Sequence, residues 1–141
     1  MALIVVDASV VAKWFLLEPG SETARALLKT NVAGENVLIA PHTLLEEVCS
    51  LIAKRFRIKL LTEQVAKEAF TFLMRYQPVL LDLPTVQAEA LDIALKFHIS
   101  FWDAIYLALA ISNRCDLITA DKRLYAAASR HYPFVVLLGS R

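Results

Sequence analysis

Four acidic side chains occupy positions at which an α/β protein would bind a ligand: Asp7, Glu47, Asp103 and Asp121. Asp7 directly follows a short apolar segment typical of a buried strand, and Asp121 follows another after one small residue. Ligands of open α/β sheets bind outside the carboxyl ends of the strands. We therefore expect Asp7 and Asp121 at that edge. Asp103 lies in the first turn of an apolar helix, and Glu47 lies in a helix from which it can project to the same edge.

Carboxylates that cluster repel one another, and a shared proton or a bound cation relieves the repulsion. A site made only of Asp and Glu oxygens selects hard ions such as Mg²⁺ or Mn²⁺ over zinc. Such an ion binds phosphate oxygens and activates a water for in-line attack. His42, His98 and His131 have no metal-ligand spacing, so we assign neither a zinc site nor a histidine base.

A structural role competes with the catalytic one for each acid. Asp7 and Asp121 are suited to capping the helices that follow them, and Ser100 with Asp103 resembles a capping box. For any one of these residues alone, capping is the more common role. Convergence of several acids on one pocket would favour catalysis.

The apolar pattern predicts the elements that position these acids. Strands are predicted at residues 2–6, 37–40, 79–81, 117–119 and 134–138. Helices are predicted at about 8–17, 21–31, 42–57, 62–76, 84–97, 102–114 and 121–130. Strands that alternate with helices indicate an α/β layer fold with a mainly parallel sheet. The helix at 102–114 is apolar almost all round, which predicts a place in the middle of the domain.

Length and composition exclude several classes of protein. A chain of 141 residues fits one domain, 1–141, and its 57% apolar and 21% charged residues exclude a disordered protein. No apolar run reaches the length of a membrane span, and the N-terminus does not resemble a signal peptide. Cys49 and Cys115 form no metal or disulfide pattern, so a cytoplasmic, reducing setting is expected. The net charge of +1 argues against binding nucleic acid through bulk charge alone.

Four segments, in this order, resemble the motifs of PIN-domain ribonucleases, and in particular the VapC toxins of type II toxin–antitoxin systems. The segments are VVDASV at 5–10, AP at 40–41 with EEV at 46–48, FWDAIYLALA at 101–110 and LITADKRL at 117–124. Each motif alone is weakly specific, and the ordered set across nearly the whole chain is strongly so. Two departures, Cys49-Ser50 after the glutamate motif and Trp102 where tyrosine is common, remove no carboxylate.

The resemblance implies a three-layer α/β/α sandwich with a central, mainly parallel sheet, and endonucleolytic cleavage of RNA with Mg²⁺ or Mn²⁺. Carried over by position, the metal-binding and catalytic acids are Asp7, Glu47, Asp103 and Asp121. Ser9 and Thr119 match hydroxyl positions that support the acid cluster, although ordinary turn or cap bonding is an alternative for both. Glu47 is preferred over Glu46 because the motif selects the residue immediately before Val48.

The resemblance also implies partners. A VapB-like antitoxin would lay a C-terminal segment over the acidic pocket, and a homodimer is expected, with the helices near 21–31 and 62–76 as candidate faces. The basic segment 54–59 and the pair Lys122-Arg123 are either phosphate contacts or ordinary surface.

Three other functions share some of these features. A PIN nuclease of housekeeping RNA processing would have the same fold and the same acids. A phosphatase of the haloacid dehalogenase type needs a second acid where Ser9 stands. A receiver domain needs paired acids after its first strand and a lysine after its last, and this chain has neither.

Overall fold

The computed structural model describes residues 2–82, 84 and 86–140. The strands are β1 (Ala2–Val6), β2 (Asn36–Pro41), β3 (Val79–Leu81), β4 (Asp116–Thr119) and β5 (Val135–Leu137). They form one sheet in the order β3-β2-β1-β4-β5, and every neighbouring pair is parallel. The chain thus builds outward from β1 in both directions. The order switches between β1 and β4, and this is where such sheets bind ligands.

Helices flank this sheet. Their bounds are α1 (Ala8–Ala12), α2 (Ser21–Val32), α3 (Leu44–Arg57), α4 (Glu63–Arg75), α5 (Val86–Phe97), α6 (Phe101–Asn113) and α7 (Lys122–Ala128). α6 packs against β1, β2 and β4 as well as against α5, so the apolar helix lies over the middle of the sheet as predicted. The result is the α/β sandwich with a parallel sheet that the sequence indicates.

The central strands are covered on both faces. Val5 and Val6 point to opposite faces of β1, and neither is exposed. Burial on both faces explains why the strand segments are continuous apolar runs rather than alternating ones. It also accounts for much of the high apolar content of so short a chain.

The first helix is shorter than predicted. The pattern predicts helix over 8–17, whereas α1 ends at Ala12. The chain turns after α1 so that Trp14 enters the core, where its indole N–H donates to the Ala24 carbonyl at 3.0 Å. The apolar residues after α1 enter the core through this turn. Their apolar character therefore does not show that the helix continues. The predicted start of α5 at 84 includes residue 85, which lies outside the described residues.

Among the described residues, no single helix is both long and apolar enough to cross a membrane. α5 and α6 meet that length and hydropathy only as a pair, with a bend of 120° between them.

Candidate active site

A pocket of about 680 Å³ opens at the carboxyl ends of β1, β2 and β4. The beginnings of α1 and α7 contribute to its lining, together with one side of α3 and the first turns of α6. All four predicted acids line it: Asp7, Glu47, Asp103 and Asp121. The parallel sheet brings them together because each follows a strand, or lies on a helix that crosses the same edge.

Asp7 is the most buried of these acids. Both of its carboxylate oxygens accept hydrogen bonds from hydroxyls, Oδ1 from Ser9 and Oδ2 from Thr119, each at 2.5 Å. Oδ1 also accepts the Val10 backbone N–H at 3.3 Å, which makes Asp7 the N-cap of α1. Asp7 therefore caps a helix and also lines the pocket.

The two hydroxyls tie Asp7 to the loop after β4. Ser9 Oγ accepts the Ala120 N–H at 2.9 Å, and Thr119 Oγ1 accepts the Asp121 N–H at 3.0 Å. The last paired residues of β1 and β4 are Val6 and Ile118. The residues that follow them, Asp7 and Thr119, therefore lie at the same level of the sheet. One hydrogen-bond network thus fixes Asp7 and the backbone of Asp121 relative to each other.

Glu47 is held by two side chains. The Thr43 hydroxyl donates to Oε1 and the Tyr106 hydroxyl donates to Oε2, each at 3.2 Å. Tyr106 is only 1% exposed. Glu46, its neighbour in the sequence, also lines the pocket but is exposed, with no hydrogen bond among those described.

Asp103 and Asp121 lie at the starts of two further helices. Ser100 is the N-cap of α6, and its hydroxyl accepts the Asp103 N–H at 3.1 Å, as the capping-box pattern suggests. Asp121 is the N-cap of α7, where Oδ1 accepts the N–H groups of Arg123 at 2.9 Å and Leu124 at 3.3 Å. Capping and pocket lining therefore coincide at Asp121.

The pocket disfavours negative charge. Burial raises the pKa of Asp7 to about 6, against the lowering effect of Ser9 and Thr119, and the charge of Asp103 raises it further. Burial likewise raises the pKa of Glu47 to about 7, with contributions from Asp7 and Asp103. The pKa of Asp103 is also raised, first by burial and then by Asp121, whereas Ser100 and Arg123 lower it. The acids are thus electrostatically coupled, and a positive charge among them would be favourable.

The donor set fits a hard cation in its chemistry. Its polar groups are carboxylates and hydroxyls, and no His or Cys is among the described residues that line the pocket. Across the described ranges, however, no three His, Cys, Asp or Glu side chains are arranged as a ready metal site.

Tyr106 and Thr43 were not predicted as site residues. Tyr106 lies in the helix that the sequence predicts to be apolar almost all round, and that pattern describes its ring but not its hydroxyl. Its position one helical turn after Asp103 was the available signal, because residues at i and i+3 share a face. Thr43 similarly precedes Glu47 by four residues.

The basic segment 54–59, the histidines and the cysteines are not among the described residues that line the acidic pocket. Arg55, in the basic segment, pairs with Glu18 at 3.0 Å and so links α3 to the loop before α2. None of the three histidines is among the described lining residues of the acidic pocket. Cys49 and Cys115 are free, half-buried thiols that pack against the core.

Comparisons with known proteins agree with this architecture. The family model of the PIN domain matches residues 4–129. Ribonuclease VapC1 of Mycobacterium tuberculosis is 29% identical over 126 residues, which are 87% of this chain and 89% of that protein.

Two solved structures share the fold. PAE2754 from Pyrobaculum aerophilum has a TM-score of 0.71 at 22% identity, covering 98% of this chain and 92% of that one. A toxin–antitoxin complex from Klebsiella pneumoniae contains a chain with a TM-score of 0.60 at 18% identity, covering 94% of this chain and 95% of that one.

Proposed function

This chain belongs to the PIN domain family, and on that premise we propose that it is an endoribonuclease dependent on a divalent ion, the toxin of a type II toxin–antitoxin module. The observation that carries the proposal is the convergence of four coupled carboxylates on one pocket at the carboxyl edge of the sheet. The similarity to a protein named as a VapC ribonuclease supports the choice of RNA as the substrate.

In this mechanism four carboxylates would hold one or two ions of Mg²⁺ or Mn²⁺: Asp7, Glu47, Asp103 and Asp121. When bound, the ion supplies a positive charge for the scissile phosphate and lowers the pKa of the attacking water. Ser9 and Thr119 keep Asp7 oriented through both of its oxygens. Thr43 and Tyr106 do the same for Glu47. Attack of water on phosphorus with loss of the 3′ oxygen leaves a 5′ phosphate and a 3′ hydroxyl.

The acidic pocket also explains how a nearly neutral protein could act on a polyanion. Without a cation the clustered carboxylates repel phosphate, so RNA binding at the pocket should depend on the ion. Burial raises the pKa values of Asp7 and Glu47, which means that negative charge in the pocket is unfavourable. A bound cation would relieve that cost.

An antitoxin would need to cover this pocket. The proposed partner resembles VapB and places a C-terminal segment over the acids, with a basic side chain where the cation would bind. The similarity of fold to a chain from a toxin–antitoxin complex supports such a partner. The toxin would act in the cytoplasm, where its RNA is found, and the two free thiols are compatible with a reducing compartment.

A homodimer is the second proposed assembly. Exposed apolar side chains run from the end of α3 along α4: Phe56, Ile58, Leu60, Val65, Phe70 and Met74. On α2, the other candidate helix, Val32 is exposed. Apolar surface of this kind is typical of homodimer interfaces. Sedimentation at micromolar concentration should show a dimer, and a monomer would contradict this assembly.

The experiment that tests the activity is cleavage of end-labelled RNA by the purified protein with Mg²⁺, Mn²⁺ or a chelator. We expect cleavage only with an added ion, and products with 5′ phosphate ends. Cleavage in chelator, or 2′,3′-cyclic phosphate ends, would overturn the mechanism. Induced expression should also arrest growth unless the VapB-like antitoxin is co-expressed. Cleavage without growth arrest would favour a housekeeping nuclease.

A further inference from the structure

The wall of the acidic pocket carries a large exposed aromatic ring. Trp102 is the second residue of α6, lines the pocket beside Asp103 and is 55% exposed. Tryptophan is highly buried on average, so half-exposed placement at a pocket is unusual. The fold does not need this ring for its core, because the buried side of α6 is formed by later residues: Ala104, Tyr106, Leu107, Ala108, Leu109 and Ala110.

The second tryptophan of the chain shows the contrast. Trp14 is 1% exposed and its indole N–H is bonded to a buried carbonyl, so its role is structural. Trp102 makes one ring contact among the described aromatic pairs, an edge contact with Phe101 at 6.3 Å between centroids. This contact covers part of the ring and leaves the remainder open to a ligand in the pocket.

Two basic side chains follow directly after a residue that lines the pocket. Arg123 is exposed and lies in the first turn of α7, two residues after Asp121. The neighbouring Lys122 is exposed as well. An aromatic platform beside basic side chains is the combination with which proteins bind single-stranded nucleic acid, by stacking on a base and pairing with phosphates.

We propose that Trp102 stacks on an unpaired base of the RNA next to the phosphate that is cut, while Arg123 contacts an adjoining phosphate. This inference rests on the proposed ribonuclease function and adds to it a residue that contacts the substrate. A base inside a duplex is already stacked on both faces, so only an unpaired nucleotide can offer a face to the ring. The cleaved site would therefore be a single strand or loop, and regular duplex would be a poor substrate.

Tryptophan fluorescence tests the contact directly, because Trp102 is the exposed one of two tryptophans. The parent protein is mixed rapidly in Mg²⁺ with a short single-stranded RNA of mixed sequence, so that the emission is read before the RNA is cut. We expect this RNA to quench the emission and the fully paired duplex of the same sequence to leave it nearly unchanged. Trp102→Phe should abolish the quenching while retaining most of the affinity.

Binding and cleavage of variants separate stacking from a merely structural role. In a rapid-mixing measurement with dye-labelled RNA, read before cleavage, Trp102→Leu should weaken single-strand binding by about tenfold. In the parent enzyme the same change should raise the KM for cleavage more than it lowers kcat. The control is Leu95→Ala, an exposed apolar side chain on α5 that is not among the described lining residues of the acidic pocket. It should change neither quantity.

Each outcome has a distinct meaning. If the parent cuts RNA and Trp102→Leu binds and cuts it equally well, this inference is overturned and the proposed function is untouched. Quenching by the antitoxin or by a second copy of the chain, but not by RNA, would instead assign Trp102 to a protein interface. If the parent neither binds nor cuts RNA, the proposed function fails and the inference fails with it.

Discussion

The Tyr106 hydroxyl donates to Glu47 Oε2 across 3.2 Å and so joins the buried face of α6 to α3 at the floor of the acidic pocket. Tyr106 lies one turn after Asp103, so one helix supplies both a carboxylate and the donor that orients another. Burial, together with the charge of Glu47, raises the pKa of Tyr106 far above its usual range, so its hydroxyl remains a proton donor at every pH of interest.

Replacement of Tyr106 by Phe should weaken ion binding. The change removes the hydroxyl and keeps the buried ring, so Glu47 loses one of its two donors while the core is retained. Partners that orient ligating carboxylates typically contribute about 10- to 100-fold to metal affinity or activity. We expect the Mn²⁺ concentration that gives half-maximal cleavage to rise by about tenfold or more.

The matched control for this change is Tyr76→Phe, at the end of α4 and outside the described lining of the acidic pocket. Its ion dependence should equal that of the parent. If Tyr106→Phe also showed the parent's ion dependence, the hydroxyl would have no part in positioning Glu47.

Replacement of Thr119 by Val should cost both stability and activity. Thr119 is fully buried, and its hydroxyl donates to Asp7 Oδ2 and accepts the Asp121 N–H. The nearly isosteric valine leaves both partners without that bond, at a cost of about 1–3 kcal/mol in the free energy of unfolding. Urea unfolding measures the first effect and cleavage rates the second. Thr119→Ser keeps the hydroxyl and should retain most of both, whereas retention of both by Thr119→Val would show that the hydroxyl has no such part.

The stability of the ion-free protein should fall as the pH rises through the range set by Asp7. Burial raises the pKa of Asp7 in the folded state from 3.8 to about 6, so between these values the folded chain binds more protons than the unfolded chain. The neutral carboxyl of Asp7 therefore contributes its full stabilisation of the folded state below pH 4, and this contribution is lost as the pH rises past 6. The full loss is of the order of 3 kcal/mol.

Other acids titrate in the same range, so the measurement is a difference. The free energy of unfolding of the parent minus that of Asp7→Asn, both in chelator, should decrease from pH 4 to pH 7. A difference that rises over this range would mean that the folded state favours the charged form of Asp7. Added Mn²⁺ at neutral pH should stabilise the parent and have much less effect on the variant.

Much of the fold follows from local pattern. Continuous apolar strands predict a parallel sheet buried on both faces, and the apolar helix at 102–114 predicts the central position of α6. The end of α1 does not follow, because Trp14 turns into the core through a contact with Ala24 that no local pattern shows. Helix ends set by such tertiary contacts are beyond what residue spacing can predict.

The site, like the fold, has features that the sequence predicts and features that depend on tertiary packing. Asp7 and Asp121 each follow a predicted strand, and ligands bind at the carboxyl ends of parallel strands, so their shared edge is predictable from sequence position alone. The sequence does not reveal the role of the Tyr106 hydroxyl, because the helix around it is apolar and its hydrogen-bond partner Glu47 lies on another helix. The depth of each carboxylate, on which its pKa depends, is set by packing of the whole domain.

The most direct test of the four-carboxylate site is the rate of RNA cleavage by Asp103→Asn in Mg²⁺, measured beside the parent. The cap of α6 does not depend on the Asp103 carboxylate, because the Ser100 hydroxyl accepts the backbone N–H of residue 103. The variant should therefore retain the parent's circular dichroism and unfold cooperatively. Asp92→Asn, an exposed acid on α5, is the control and should cut at the parent's rate. Loss of cleavage by folded Asp103→Asn is the predicted result, and cleavage as fast as the parent's would contradict the account.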